Sequence, residues 1–330
     1  MAIPSNEKIL TLDYWKPARD IAAGDYVFDQ KGNPVKVKLV QEYFAENCYS
    51  VLLNDLMTIK ADENAEFLLE TPKYRKRTHE YKGKNAFRRP LKPTPLKELV
   101  TKSLKMQRNR SAFSIPTCEP LKFPTQDLPV PPFVFGYWYR NRLKYGNLVV
   151  KPAYLDEVKE KFQDHGYEFK KLYVRKDDAI IFMVTPRIEQ QLAPFIPHEI
   201  PTNYLLSSEE QRVELLRGLL MAKPGQYKQE RDVFLMKSSN WNEIRTLQSL
   251  VESIGCKTTL NEREFFKSYF LEFKCRRQLL SFQTSPPVKV HSSRRFIKEI
   301  NKISGRMCVH IETEGQDGTF LVGEGFIACR

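Results

Sequence analysis

The chain has 330 residues, 41% of them hydrophobic and 12% aromatic, which is long for one domain and sufficient for two or three with cores of their own. No apolar run approaches the roughly 20 residues of a membrane span, no apolar segment of a signal peptide follows Met1–Glu7, and the six cysteines, at 48, 118, 256, 275, 308 and 329, contain no C-x-x-C pair. A reducing cytoplasmic setting is therefore expected, with no metal site, cofactor or membrane contact. The net charge of +13 is concentrated: fourteen Lys/Arg against Glu80 and Glu98 give +12 between Lys73 and Arg110, leaving +1 for all other residues.

Residues 2–72 predict a compact all-β region. Short strand-like runs lie at Lys8–Thr11, Asp25–Phe28, Val35–Val40, Tyr49–Leu53, Met57–Lys60 and Glu66–Leu69, and turn signals such as Gly24-Asp25, Lys31-Gly-Asn-Pro34 and Asn54-Asp55 separate them. Glu7-Lys-Ile-Leu-Thr11, Ala23-Gly-Asp-Tyr-Val27 and Ile59-Lys-Ala-Asp-Glu-Asn-Ala-Glu-Phe-Leu68 stand in an order that resembles the opening blocks of an intein, or Hint, domain. The resemblance places the splicing nucleophile on Ala2, and the Thr and His that polarise the scissile peptide on Asp62 and Ala65. Acyl shift needs a thiol or hydroxyl on the carbonyl and a proton donor for the departing nitrogen. Alanine offers neither, and Ser5, the nearest hydroxyl, is three residues out of register.

The basic stretch follows. Lys73, Arg75, Lys76, Arg77, Lys82, Lys84, Arg88, Arg89 and Lys92 are interleaved with Tyr74, Tyr81 and Phe87, a pattern suited to phosphate contacts with some stacking on nucleic acid. A basic solvated linker, or a segment for an anionic protein partner, has the same composition. Leu96 to Arg110 predicts a basic helix, and the proline-punctuated run Phe113 to Pro129 leads onward.

Two segments share one plan. Pro131-Pro-Phe-Val-Phe-Gly-Tyr-Trp-Tyr-Arg-Asn-Arg142 is a short apolar helix with Gly136 mid-face. Ser207 to Gly225 predicts a second, opened by a capping box of Ser207 and Glu210 and apolar at Leu215, Leu216, Leu219 and Leu220 around Gly218. A mid-helix glycine costs roughly 1 kcal/mol of propensity, and close approach of a second helix backbone explains it. Strands are expected at Tyr145–Val150, Lys171–Val174, Ala179–Val184, Val233–Lys237, Thr258–Leu260 and Tyr269–Lys274. Helices are expected at Ala153–His165, Arg187–Phe195 and Trp241–Ile254, the last capped by Gly255. This order, with Pro197-His-Glu-Ile-Pro201 before the second glycine helix, resembles a LAGLIDADG homing endonuclease, in which the paired helices each deliver one acidic residue to a metal site. The resemblance puts those positions on Asn141 and Lys223, so both carboxylates are missing. Arg140 and Arg142 add positive charge there, and Arg140, Arg142 and Lys223 join the basic stretch as expected DNA contacts.

Phe320-Leu-Val-Gly-Glu-Gly-Phe-Ile327 resembles the closing intein block, with Cys329 and Arg330 where Thr and His would stand and the sequence ending before the cyclising Asn. The implied architecture is α+β: a Hint-like module of residues 1–72 and 288–330, a basic linker or DNA-contacting segment at 73–112, and a LAGLIDADG-like α/β module of two similar halves at 113–287. With Ala2, Ala65, Asn141, Lys223 and Arg330 at the chemical positions, neither splicing nor cleavage is expected. The chain then reads as an inactive relative redeployed to bind double-stranded DNA. Alternatives are a structural or protein-binding component, as in a phage particle or a DNA-handling complex, and a residual endonuclease using displaced acids such as Glu230 and Asp232.

Overall fold

The structure, a computed structural model, describes residues 2–71, 91–105, 111–143, 146–193, 199–223, 226–263, 268–275, 277–281, 283 and 294–330, with the side chains of Lys92 and Arg263 outside the description. The fold is α+β, with 24% helix and 40% strand. It divides into two compact units: Met1–Lys122 with Gly255–Leu260 and Lys289–Arg330, and Phe123–Ile254 with Asn261–Val288.

The first unit is made of short antiparallel sheets that mix the two ends of the chain. One has the order Ala2–Pro4, Arg306–Thr313, Pro34–Ala45, Tyr26–Phe28. A second runs Ser114–Pro116, Arg294–Ile303, Cys48–Leu53, Thr58–Asp62, and a third Phe320–Val322, Ile327–Cys329, Glu66–Leu69, Lys92–Pro95. Alternation sets what is buried: Ile59 and Ala61 face the core while Thr58 faces solvent. Ile3, Val27, Val51, Phe67, Ile297, Val309, Phe320 and Ile327 meet in one cluster, so early and late strands share a core. Two ion pairs inside this unit, Arg295 with Asp55 at 2.6 Å and Arg294 with Glu70, tie the late strand to the early ones.

The segment drawn from sequence as linker belongs partly to this core. Helix α1 is only Leu96–Val100, not Leu96 to Arg110. Leu96 and Leu99 are fully buried in the cluster, and burying each leucine is worth about 1.5–3 kcal/mol. Residues 106–110 lie outside the described residues. Ser114–Pro116 pairs with Arg294–Ile303, so the first unit runs to Lys122 rather than stopping at 72, and it also takes in Gly255–Leu260.

The second unit repeats one motif. Its helices are α2 (Pro132–Asn141), α3 (Leu155–Gln163), α4 (Ile188–Gln191), α5 (Thr202–Leu205), α6 (Glu209–Met221) and α7 (Trp241–Ser253). In the first half, α2 leads to strand Leu148–Val150, α3 and the hairpin Glu168–Val174/Ile180–Thr185. In the second, α6 leads to Val233–Ser238, α7, Lys257–Arg263, whose first four residues are grouped with the first unit, and Ser268–Lys274. In each sheet the last strand of the half lies between the other two. The second sheet carries an extra edge strand, Tyr227–Lys228, paired to Val233–Ser238. The first has a single bridge, Arg142 to Leu148, at the corresponding place.

The capping box of α6 sits one residue later than the sequence pattern suggested. Ser208 is the N-cap and Gln211 closes the box, while the Ser207 hydroxyl donates to the Tyr204 carbonyl at 2.8 Å. Two adjacent serines allow either register, and the turn through α5 uses up the first. Gly255 follows α7 with φ +80°, the left-handed conformation expected of it.

Candidate functional site

The centre of the second unit is the seam between α2 and α6. A β-carbon on Gly136 would lie 2.4 Å from the Leu215 carbonyl oxygen, and one on Gly218 would lie 2.2 Å from the Phe133 carbonyl oxygen. Both neighbours are backbone and cannot turn away, so the seam admits only glycine at either position. Leu215, Leu216, Leu219 and Leu220 of α6 and Phe133, Val134, Phe135, Tyr137 and Trp138 of α2 are buried along it. α2 is apolar on most sides, whereas α6 also carries Glu209, Glu210, Gln211, Arg212, Glu214 and Arg217.

The positions expected to carry carboxylates lie at the C-terminal ends of these helices. Asn141 is the last residue of α2, and its side-chain amide donates to the Val149 carbonyl. The Tyr137 hydroxyl donates to the same oxygen at 3.1 Å. Asn141 is therefore spent on holding strand Leu148–Val150 against α2. Lys223 follows the C-cap Ala222 of α6 and is exposed. Its pKa is pushed down, first by the packing around it and then by Arg140, with Glu243 acting in the opposite direction.

Arg140 reaches across the unit. Its guanidinium donates to Gln226 Oε1 at 3.3 Å and to the Lys237 carbonyl at 3.0 Å. Burial lowers its pKa, and Glu243 again opposes. Glu243 lies in the first turn of α7, behind the N-cap Asn240, and accepts from the Ser238 hydroxyl. Tyr139, between burial and the Glu243 carboxylate, has its phenol pushed up to about 12. The seam thus ends in two cations and one offsetting carboxylate. Among the described residues no group of three His, Cys, Asp or Glu side chains could hold a metal ion, and the chemistry of this donor set, an amide turned to a carbonyl and an ammonium, does not fit a divalent cation. Of the acids considered from sequence, Asp232 accepts from the Tyr227 hydroxyl at 3.0 Å, and Glu230 lies in the turn before it.

Arg142 turns back over the rings of Trp138, 4.4 Å from the centroid, and Tyr139, at 5.3 Å. Lys73, Arg75, Lys76, Arg77, Lys82, Lys84, Arg88 and Arg89 lie outside the described residues, as does His198. Lys92 has its backbone in strand Lys92–Pro95. Sequence reasoning missed Glu243 and Gln226 as parts of this centre. Neither carries a local signal, since only the packing of α7 and of strand Val233–Ser238 brings them to the seam.

The first unit holds the other set of chemical positions. Ala2 is buried and paired with His310 across the sheet. It packs with Ala45, Cys48 and Cys308 in a small apolar cluster. The two sulfurs are 3.8 Å apart, and burial together with Cys48 raises the Cys308 thiol. Asp62 pairs across the sheet with Cys48 and accepts from the Tyr43 hydroxyl at 2.7 Å. Its other oxygen, Oδ1, is buried with no hydrogen-bond partner among the described residues. Ala65 is fully buried in the main core. Cys329 is buried, and Arg330 exchanges two backbone hydrogen bonds with Glu66, its side chain lying 3.9 Å from the Glu66 carboxylate.

No protein-family profile matches the sequence, and no curated protein matches it. Among solved structures, the Msm DnaB1 intein splicing domain bound with zinc is 25% identical over 21% of this chain and 55% of its own, with a TM-score of 0.20. A mutant of an Ssp DnaB mini-intein variant is 10% identical over 100% of this chain and 97% of its own, at 0.33. I-DmoI in complex with DNA and Mn is 11% identical over 44% and 89%, also at 0.33. The chain spans about half the length, 55% and 53%, of the first two DnaB inteins it matches. The chain resembles an intein-like domain with a LAGLIDADG homing-endonuclease module. No helix among the described residues is long and apolar enough to cross a membrane.

Proposed function

We propose that this chain is a catalytically inactive relative of inteins and LAGLIDADG endonucleases that binds duplex DNA without a metal ion. The observation that carries this reading is the presence of Asn141 and Lys223 near Arg140, where the LAGLIDADG resemblance expects carboxylates. Such a centre repels a divalent cation and attracts a phosphate. Packing and the Arg140 charge already make the Lys223 ammonium costly, and a phosphate between the two cations relieves that repulsion. The fourteen basic residues between Lys73 and Arg110 supply further backbone contacts that carry no base specificity. Splicing is absent on this reading because Ala2 has no nucleophile and lies in an apolar cluster.

The test is a binding titration of the intact chain against duplex DNA between about 50 and 200 mM salt, with magnesium or with a chelator. Affinity should fall by orders of magnitude over that range, as each phosphate contact releases counterions, and the chelator should change nothing. No affinity at the lowest salt, or nicking of plasmid that depends on magnesium and on the seam residues, sinks the proposal.

A further inference from the structure

The end of the α2–α6 seam carries an amine with no partner. Lys223 is exposed, and its Nζ makes no hydrogen bond or ion pair among the described residues. A lysine attacks a carbonyl only as the neutral amine, a form favoured where packing or a neighbouring cation disfavours the ammonium. Both act here, the packing around Lys223 first and the Arg140 guanidinium second. Arg140 is fixed by two neutral acceptors, Gln226 Oε1 at 3.3 Å and the Lys237 carbonyl at 3.0 Å, which leave its charge in place.

The carboxylate that acts on both cations is Glu243. It stands in the first turn of α7, and the Ser238 hydroxyl donates to its Oε2. Its Oε1 makes no hydrogen bond among the described residues, so that oxygen is able to take a proton. An amine from the end of α6, a guanidinium from α2 and a carboxylate from α7 thus meet in one electrostatic centre.

This trio suits carbonyl chemistry. The carbonyl that a DNA duplex can offer is the C1′ aldehyde of a deoxyribose that has lost its base. We propose that Lys223 is the Schiff-base nucleophile of a lyase acting at abasic sites in duplex DNA. The proposal rests on the duplex-binding reading, and its chemistry is separate from splicing and from metal-dependent cleavage. The Lys223 amine adds to C1′ and expels water, leaving an imine that acidifies the C2′ hydrogens. Glu243 takes a C2′ proton, the C3′–O bond breaks, and the 3′ phosphate leaves with the electron pair beside Arg140. Water then hydrolyses the conjugated imine, which frees the amine and leaves an unsaturated aldehyde on the broken strand. No oxidant or reductant is consumed.

The test incubates the full chain, in chelator, with a labelled duplex holding one abasic site and with the intact duplex. Borohydride should trap a covalent adduct with the abasic duplex alone, and peptide mass spectrometry should place it on Lys223. Without borohydride the abasic strand should break. Lys223→Arg, which keeps the charge, should lower adduct and breakage per bound duplex by about tenfold or more. Glu243→Gln should still form the adduct but break the strand about 100-fold more slowly. Thermal melts establish that both variants fold, and binding of both duplexes is measured on the same samples. A bound abasic duplex that gives no adduct, an adduct mapped to another lysine, or a folded Lys223→Arg that traps and cleaves like the wild type overturns the lyase and leaves the DNA reading standing. Unchanged breakage by Glu243→Gln overturns Glu243 as the base. No affinity for either duplex overturns both the lyase and the DNA reading.

Discussion

The two units set the residues at their expected chemical positions in opposite surroundings. In the strand-rich unit, Ala2, where the intein resemblance expects a nucleophile, packs with Ala45, Cys48 and Cys308 in an apolar cluster. In the helix–sheet unit, Asn141 and Lys223, where the LAGLIDADG resemblance expects acids, lie near Arg140. The first position is packed. The second is polar, partly open and positively charged. A position that only has to fill space drifts toward small apolar residues, because burying a polar group without partners costs more than the group contributes. A position that keeps cations at a solvent-facing seam still has electrostatic work available. The contrast is why the proposed function rests on the second unit.

One substitution made in both centres probes the contrast most directly. Ala2→Asp puts a carboxylate into the apolar cluster and should cost about 3 kcal/mol or more, measured by chemical denaturation of the full chain. Asn141→Asp should cost less, about 1–2 kcal/mol, because it loses the amide bond to the Val149 carbonyl while the Tyr137 hydroxyl still serves that oxygen. Equal costs would erase the distinction between a dry and a charged centre. A smaller effect is expected on binding: Lys223→Asp should reduce the slope of log affinity against log salt by about 1, whereas Ala2→Ser should leave it unchanged.

The smallest expected effect is on pH dependence. Lys223 has its folded pKa depressed below its ordinary 10.5. Between the folded and unfolded values the unfolded chain binds the extra proton, so stability rises with pH across that window, and the penalty is fully present below it. Comparing wild type with Lys223→Met, the stability difference should shrink as pH rises toward 10.5, and the wild-type advantage in duplex binding should fade in the same direction. A difference that is flat on the alkaline side would mean that neither the packing around Lys223 nor Arg140 depresses its pKa.

Much of the scaffold was legible because it is written in local and periodic terms. The glycines at 136 and 218, the leucines spaced around Gly218, the strand runs of residues 8–69 and Gly255 after its helix each state a backbone requirement in the residue itself. The capping box slipped by one position, since Ser207 and Ser208 carry the same chemistry and only the turn from α5 distinguishes them. The helix drawn to Arg110 stopped at Val100 because only Leu96 and Leu99 reach the core, and charge alone does not hold a helix. Strand Pro34–Ala45 runs five residues beyond Val40, through a stretch with no apolar alternation of its own, since Arg306–Thr313 pairs along it. The chemical centres were least legible. That Ala2 and Asn141 differ from the residues that the resemblance expects is read from the sequence alone. That Cys48 and Cys308 close over Ala2, and that Gln226 and Glu243 meet Arg140, depends on contacts between residues 86 to 260 positions apart or on the packing of α7. Only the tertiary structure decides such contacts, because a side chain carries no record of which distant strand or helix will lie against it.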